Sequence, residues 1–272
     1  MRTRKHLSVL VFLLAMCCCH FLHAQTPDEP PYTLGFIPAS IEEIDVSFPL
    51  VKKWKLSGET DIQLVTQGAY NNQNPFAYAQ RFVIRPWVVY SGFKNMKLWV
   101  GYARNKKYEV KEAGNYETLE HRIILMGTFA QQLPKGNLFQ QVRFETKFFD
   151  DRNGVNQTVP RVRARFGVNH FLPQHKTKPV FRAPNISYYM ELMLKFASKD
   201  YAEERFDLLR ASMYYTAGLT DNLHFLIGGI AQLQLRTNGK QFDVYYGPIV
   251  SLRWNFVPKP RETFDNVDGG AD

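Results

Sequence analysis

Downstream of Ala24 the 272-residue chain has no cysteine, because its three cysteines are Cys17, Cys18 and Cys19. That part of the chain can hold no disulfide framework, no thiolate metal site and no cysteine nucleophile. It also lacks a long apolar run, and the mean hydropathy of the whole chain is −0.31. A bundle of membrane-spanning helices is thereby excluded. A membrane-spanning barrel is not, because every second residue of its strands faces the lumen and dilutes the hydropathy. No block of like charge occurs: 34 Lys and Arg are interspersed with 25 Asp and Glu. Nucleic-acid binding calls for a clustered basic stripe, so no nucleic-acid partner is expected. Gly-x-Ser-x-Gly, His-Glu-x-x-His and Gly-rich phosphate loops are missing too, and serines and histidines do not cluster. The expectation is a protein that is not an enzyme, with no catalytic residue, cofactor or metal site.

What is present begins with an export signal. Arg2, Arg4 and Lys5 precede an apolar stretch from Leu7 to Leu22, and Leu22-His23-Ala24 offers a small residue before Gln25. This is the anatomy of a cleaved secretory leader over residues 1–24. A lipoprotein reading of Cys17 is disfavoured by Met16, which stands where a small residue should precede the modified cysteine. Taking the leader's three bases from 34 leaves 31 against 25 acids, a mature charge of +6.

The mature chain alternates with period 2. Val162, Ala164, Phe166 and Val168 oppose Arg161, Arg163, Arg165 and Asn169. Val142, Phe144, Thr146 and Phe148 oppose Gln141, Arg143, Glu145 and Lys147, and the segment from Trp54 to Leu64 follows the same rule. Such alternation marks half-buried strands. Soluble strands run about 5–6 residues, whereas a tilted membrane-spanning strand needs about 9–11. Most segments here reach the longer figure. The predicted fold is all-β: a transmembrane antiparallel up-and-down β-barrel of about 10–12 strands over residues 41–257. An N-terminal segment (25–40) precedes it and a flexible tail (258–272) follows.

Connections alternate in length. Short ones fall near 51–53, 91–95, 133–137 and 218–221, and longer polar ones at 67–75, 105–115 and 150–158. Short periplasmic turns and long outer loops are the expected asymmetry, and single-chain bacterial barrels have even strand numbers. Ten strands count from Trp54 onward. Ile41 to Leu50 adds another, which demands a twelfth over Tyr32 to Pro38 or a non-wall role for 41–50. Pro86 and Pro248 call for bulges or strand ends, and Pro160 for the start of its strand.

Several short motifs fall in a familiar order: Lys53-Trp54-Lys55-Leu56-Ser57-Gly58-Glu59, Leu98-Trp99-Val100-Gly101-Tyr102, Glu120-His121-Arg122, Arg143-Phe144-Glu145 and Arg161-Val162-Arg163-Ala164-Arg165. Over roughly Trp54 to Phe256 the chain resembles the outer-membrane barrel family catalogued as domain of unknown function 2490. The resemblance implies paired acidic and basic positions on adjacent strands, and no established activity.

By alternation the inward face collects Glu120, Arg122, Arg143, Glu145, Lys147, Arg161, Arg163, Arg165, Glu191, Lys195, Arg210 and Arg253. Buried charges persist only when paired and hydrogen-bonded, so a salt-bridged lumen with a structural or surface-interaction role is the leading reading. A channel for small anionic solutes is the alternative, since arginine rings favour anions. A lipid-modifying enzyme is the third, with His121, His170 and His224 as candidate bases. His121 and His170 fall on the apolar face. Trp54, Trp87, Trp99 and Trp254 are read as interfacial girdle residues. The expected location is the outer membrane of a Gram-negative cell, with outer-membrane lipid and the barrel-assembly machinery as partners.

Overall fold

The computed structural model describes residues 33–256 other than 52–53, 70–71, 112–116, 151–153, 155, 174–181, 197–205 and 236–240. The leader and the C-terminal tail read from the sequence lie outside the described residues. Eleven strands follow one another: β1 (Thr33–Val51), β2 (Leu56–Gln67), β3 (Tyr78–Tyr90), β4 (Met96–Lys107), β5 (Thr118–Leu133), β6 (Gly136–Asp150), β7 (Asn156–Phe171), β8 (Arg182–Lys195), β9 (Phe206–Gly218), β10 (Leu223–Leu235) and β11 (Gln241–Asn255). Each pairs antiparallel with its chain neighbours, and β1 meets β11 to close a barrel. No helix among the described residues is long and apolar enough to cross a membrane, which says nothing about crossing by strands.

The all-β barrel is the expected architecture, but the even strand number is corrected. Residues 33–51 form one 19-residue strand, so the segments around Tyr32–Pro38 and Ile41–Leu50 are not two strands. The barrel wall begins at Thr33 rather than at residue 41. Pro38 does not break β1 because its carbonyl accepts from the Gly68 amide at 2.8 Å, just past the last β1–β2 ladder pair, Ala39 with Gln67. Its missing N–H, on the same side, therefore falls at the ladder's end.

An odd count forces β1 and β11 to run parallel. The contacts across this seam keep a constant offset. Arg253 Nη2 lies 3.0 Å from Asp45 Oδ2, Ser47 Oγ donates to Asn255 Oδ1 at 2.5 Å, and the Phe256 amide donates to the Ser47 carbonyl at 2.9 Å. Farther along, Gly247 adopts φ +152° and a Cβ there would sit 1.8 Å from the Ala39 carbonyl oxygen. Only glycine lets the two backbones approach this closely. An even count would put both ends of the wall on one side; with eleven strands the described chain enters at the long-connection end and leaves at the short-turn end.

Alternation orders the side chains. On β5, Glu120, Arg122, Ile124 and Met126 are buried inside while Leu119, Ile123 and Leu125 are exposed outside. The outer surface carries large apolar side chains on many strands, among them Ile44, Val100, Phe144 (56% exposed), Met190 and Ile227. Apolar clusters also fill part of the interior. Ile41, Val65, Ile230 and Ile249 form one of them. Trp87, Val89, Ala103, Ile124 and Met126 form another, with Trp99 packed against it.

That second cluster corrects the girdle assignment of two tryptophans. Trp87 points inward and is 6% exposed, its ring edge-on to Trp99 with centroids 6.0 Å apart. Trp87 can lie across β4 because its partner there is Gly101, where a Cβ would come within 2.2 Å of the indole. Trp54 and Trp254 are exposed at the short-turn end.

The prolines behave differently from expectation. Opposite β4, the ladder skips Arg85 and Pro86 and resumes in unchanged register, Ile84 with Arg104 and Trp87 with Gly101, so Pro86 makes a gap without a bulge. Pro160 lies inside β7, yet beyond the last β8 pair, Arg161 with Lys195. Its carbonyl accepts from the Phe196 amide at 2.8 Å. Pro248 is paired within β11, opposite Gly229.

Candidate functional site

Successive strands place charged residues at matched depths on the inner wall. The β5–β6 register sets Arg122 beside Lys147 and Met126 beside Arg143. Across β6–β7, Glu145 faces Arg161 and Arg143 faces Arg163. Arg165 faces Glu191 on β8, and Glu191 faces Arg210 on β9. Like charges directly opposite are destabilising, so the Arg143–Arg163 pair requires carboxylates on both sides.

Those carboxylates each gather several cations. Glu120 lies 2.6 Å from Lys107, 2.8 Å from Arg122 and 3.1 Å from Lys147. Glu145 lies 2.5 Å from Arg161, 3.2 Å from Arg143 and 3.5 Å from Arg122. Asp207 adds a second partner for Arg161 at 2.9 Å. A neighbouring group centres on Glu191, 2.7 Å from Arg165, 3.4 Å from Arg163 and 3.5 Å from Arg210. Neutral groups complete the shell. The Asn105 amide, turned so that its oxygen faces Arg122, accepts from Nε and Nη2 at 2.8 and 3.1 Å. Gln232 Oε1 accepts from Arg210 Nη2 at 2.6 Å. Arg143 also stacks over Trp87, its guanidinium carbon 5.3 Å from the ring centroid.

Ten of the twelve inward charges read from the sequence lie in these two groups. Arg253 is elsewhere: it pairs with Asp45 near the short-turn end and its side chain is 54% exposed. Lys195 is half-buried at the far end of β8 and makes no ion pair with the described residues. Sequence reasoning left out Lys107, which sat in a presumed loop, and Asp207, near the start of a weakly alternating strand. It also left out a smaller set on β1–β3: Arg85 is paired with Asp61 and lies 3.7 Å from Glu43, and Trp87 Nε1 donates to Asp61 at 2.7 Å. Asp61 and Arg85 already stood on the polar side of their segments, so alternation alone could have found them.

Among the described residues His121, His170 and His224 lie apart from one another. His121 is on the outer face, hydrogen-bonded to the Tyr102 hydroxyl and stacked on its ring. His170 is exposed where β7 meets its turn, and His224 sits at the turn end of β10. Among the described residues no three of His, Cys, Asp and Glu are grouped to hold a metal.

A cavity of about 150 Å³ adjoins the network, lined by Arg81, Lys107, Arg122, Lys147, Arg161, Arg163 and Arg210 and by one acid, Asp207. Its lining includes Gln80 and Arg81 near the start of β3, Lys107 at the end of β4 and Gln234 near the end of β10. It therefore lies toward the long-connection end.

The fold and its interior define a closed β-barrel with buried, arginine-rich ion pairs. The chain belongs to the family described as "Protein of unknown function (DUF2490)", whose model matches residues 43–243. No curated protein and no solved structure matches the chain.

Proposed function

We propose that this protein is an outer-membrane β-barrel, exported by its N-terminal leader, whose interior is held shut by ion pairs and which serves a structural or surface-interaction role. The observation that supports this reading is the inversion of polarity across the wall. Exposed outward side chains such as Val100, Ile123, Leu125 and Phe144 are apolar, while Glu120, Glu145 and Glu191 are buried inside with their cations. In water such a surface would be a liability many times larger than an ordinary exposed patch. Against hydrocarbon it is the stable arrangement.

Two measurements test the proposal. Without its leader, the protein should require detergent to stay monodisperse and should shift its gel mobility on heating. In planar bilayers the folded barrel should pass no resolvable current. Solubility without detergent would overturn the membrane assignment, and steady anion-selective current would replace the closed lumen with the second reading. That reading, a small anion channel, is favoured by the surplus of cations around the cavity.

A further inference from the structure

We infer that the cationic cavity is a binding site for a small oxyanion of the phosphate, sulfate or carboxylate type, with Arg81 as its principal ligand. This inference goes beyond the closed-barrel reading and does not depend on it: a barrel that conducts and one that does not could each hold the ion.

Charge counting around the cavity leads there. Six of the seven lining cations share four carboxylates, Glu120, Glu145, Glu191 and Asp207. Two further arginines, Arg143 and Arg165, draw on the same carboxylates from outside the cavity. Among the described residues the seventh lining cation, Arg81, has no carboxylate within ion-pair distance, and its Nε, itself shielded from solvent, has no hydrogen-bond partner. The charged groups acting on it most strongly are themselves cations, Arg122, Arg210 and Arg85. Arg81 is half-buried, and a charge partly withdrawn from water into a field of its own sign is stabilised by a counter-ion.

The chemistry of the lining selects the counter-ion. Guanidinium forks present paired N–H donors that match the oxygens of carboxylates and phosphates. Four of the arginines at this cavity already spend donors on protein carboxylates, whereas Arg81 spends none on a carboxylate of the described residues. The space suffices for a small ion, since a single water needs only about 10–15 Å³ by a comparable measure.

The test uses full-length mature protein folded in detergent, titrated with inorganic phosphate, sulfate or acetate against chloride at matched ionic strength. Binding is read by equilibrium dialysis of the labelled ion and by the thermal midpoint of tryptophan fluorescence. At least one oxyanion should bind saturably and raise the midpoint, and the ranking of the three identifies the class. Arg81→Gln should weaken that binding at least tenfold, while Arg81→Lys, which keeps the charge and loses the fork, should fall between. The wild-type titration does not depend on either variant folding. Absence of saturable binding beyond chloride in the wild type would overturn the inference. So would Arg81→Gln protein that folds and binds as tightly as wild type.

Discussion

At the scale of single residues, the interior is governed by a shortage of acid. Glu145 alone lies within 3.5 Å of Arg122, Arg143 and Arg161. Neutralising it leaves three buried guanidinium groups with less compensation, and breaking a buried pair from one side costs about 3–5 kcal/mol. Glu145→Gln should therefore lower unfolding stability by that amount in urea titrations from detergent or lipid. Asp45→Asn should cost far less, because its partner Arg253 is half exposed to solvent. Equal losses would mean that the buried groups do not behave as a network. Alternation in the sequence placed Glu145 on the inner face; it could not show that three arginines converge on it, because those partners come from three different strands.

At the scale of strands, each ribbon must satisfy two surroundings at once. Phe144 faces outward between Arg143 and Glu145 and opposite Leu125. In the proposed membrane setting, Phe144→Arg would turn a charge toward hydrocarbon at a cost of about 2–4 kcal/mol at mid-depth. The fraction of protein showing heat-shifted gel mobility should fall accordingly. A second element-level device is the aromatic laid across a neighbouring glycine. Gly101→Ala would drive a Cβ to 2.2 Å from Trp87, and overpacking of this kind costs about 1–3 kcal/mol. Gly229→Ala, with its nearest neighbour at 3.8 Å, should be nearly silent in the same assay. The packing of Trp87 across Gly101 was not legible beforehand. A tryptophan on an alternating strand has the same local pattern whether it packs over a neighbour's glycine or lies at a membrane boundary, and the neighbour is set by register.

For the whole molecule, closure is the deciding feature. Eleven strands cannot close by antiparallel pairs alone, so the β1–β11 junction is parallel, a pairing slightly weaker per residue. Ser47 and Asn255 touch across it through their side chains. Because the chain has no cysteine beyond Cys19, Ser47→Cys with Asn255→Cys places two thiols where a disulfide can form. Oxidation should cross-link this pair in the folded protein and not after heat unfolding, as read by gel mobility. Failure to cross-link under conditions where the folded protein is intact would contradict the seam. A cross-linked barrel should also resist urea better than the reduced form, since the weakest junction would be tied.

The sequence by itself determined which side of each strand every residue occupies, because the period of two is a local property that no distant contact is needed to establish. It determined the all-β class for the same reason, through strands too long for an ordinary soluble sheet. Only the tertiary structure decided the strand number, the parallel seam, which cation meets which carboxylate and the surplus of charge around one cavity. These depend on register between strands and on how the sheet closes, and both are set by contacts between residues far apart in the chain.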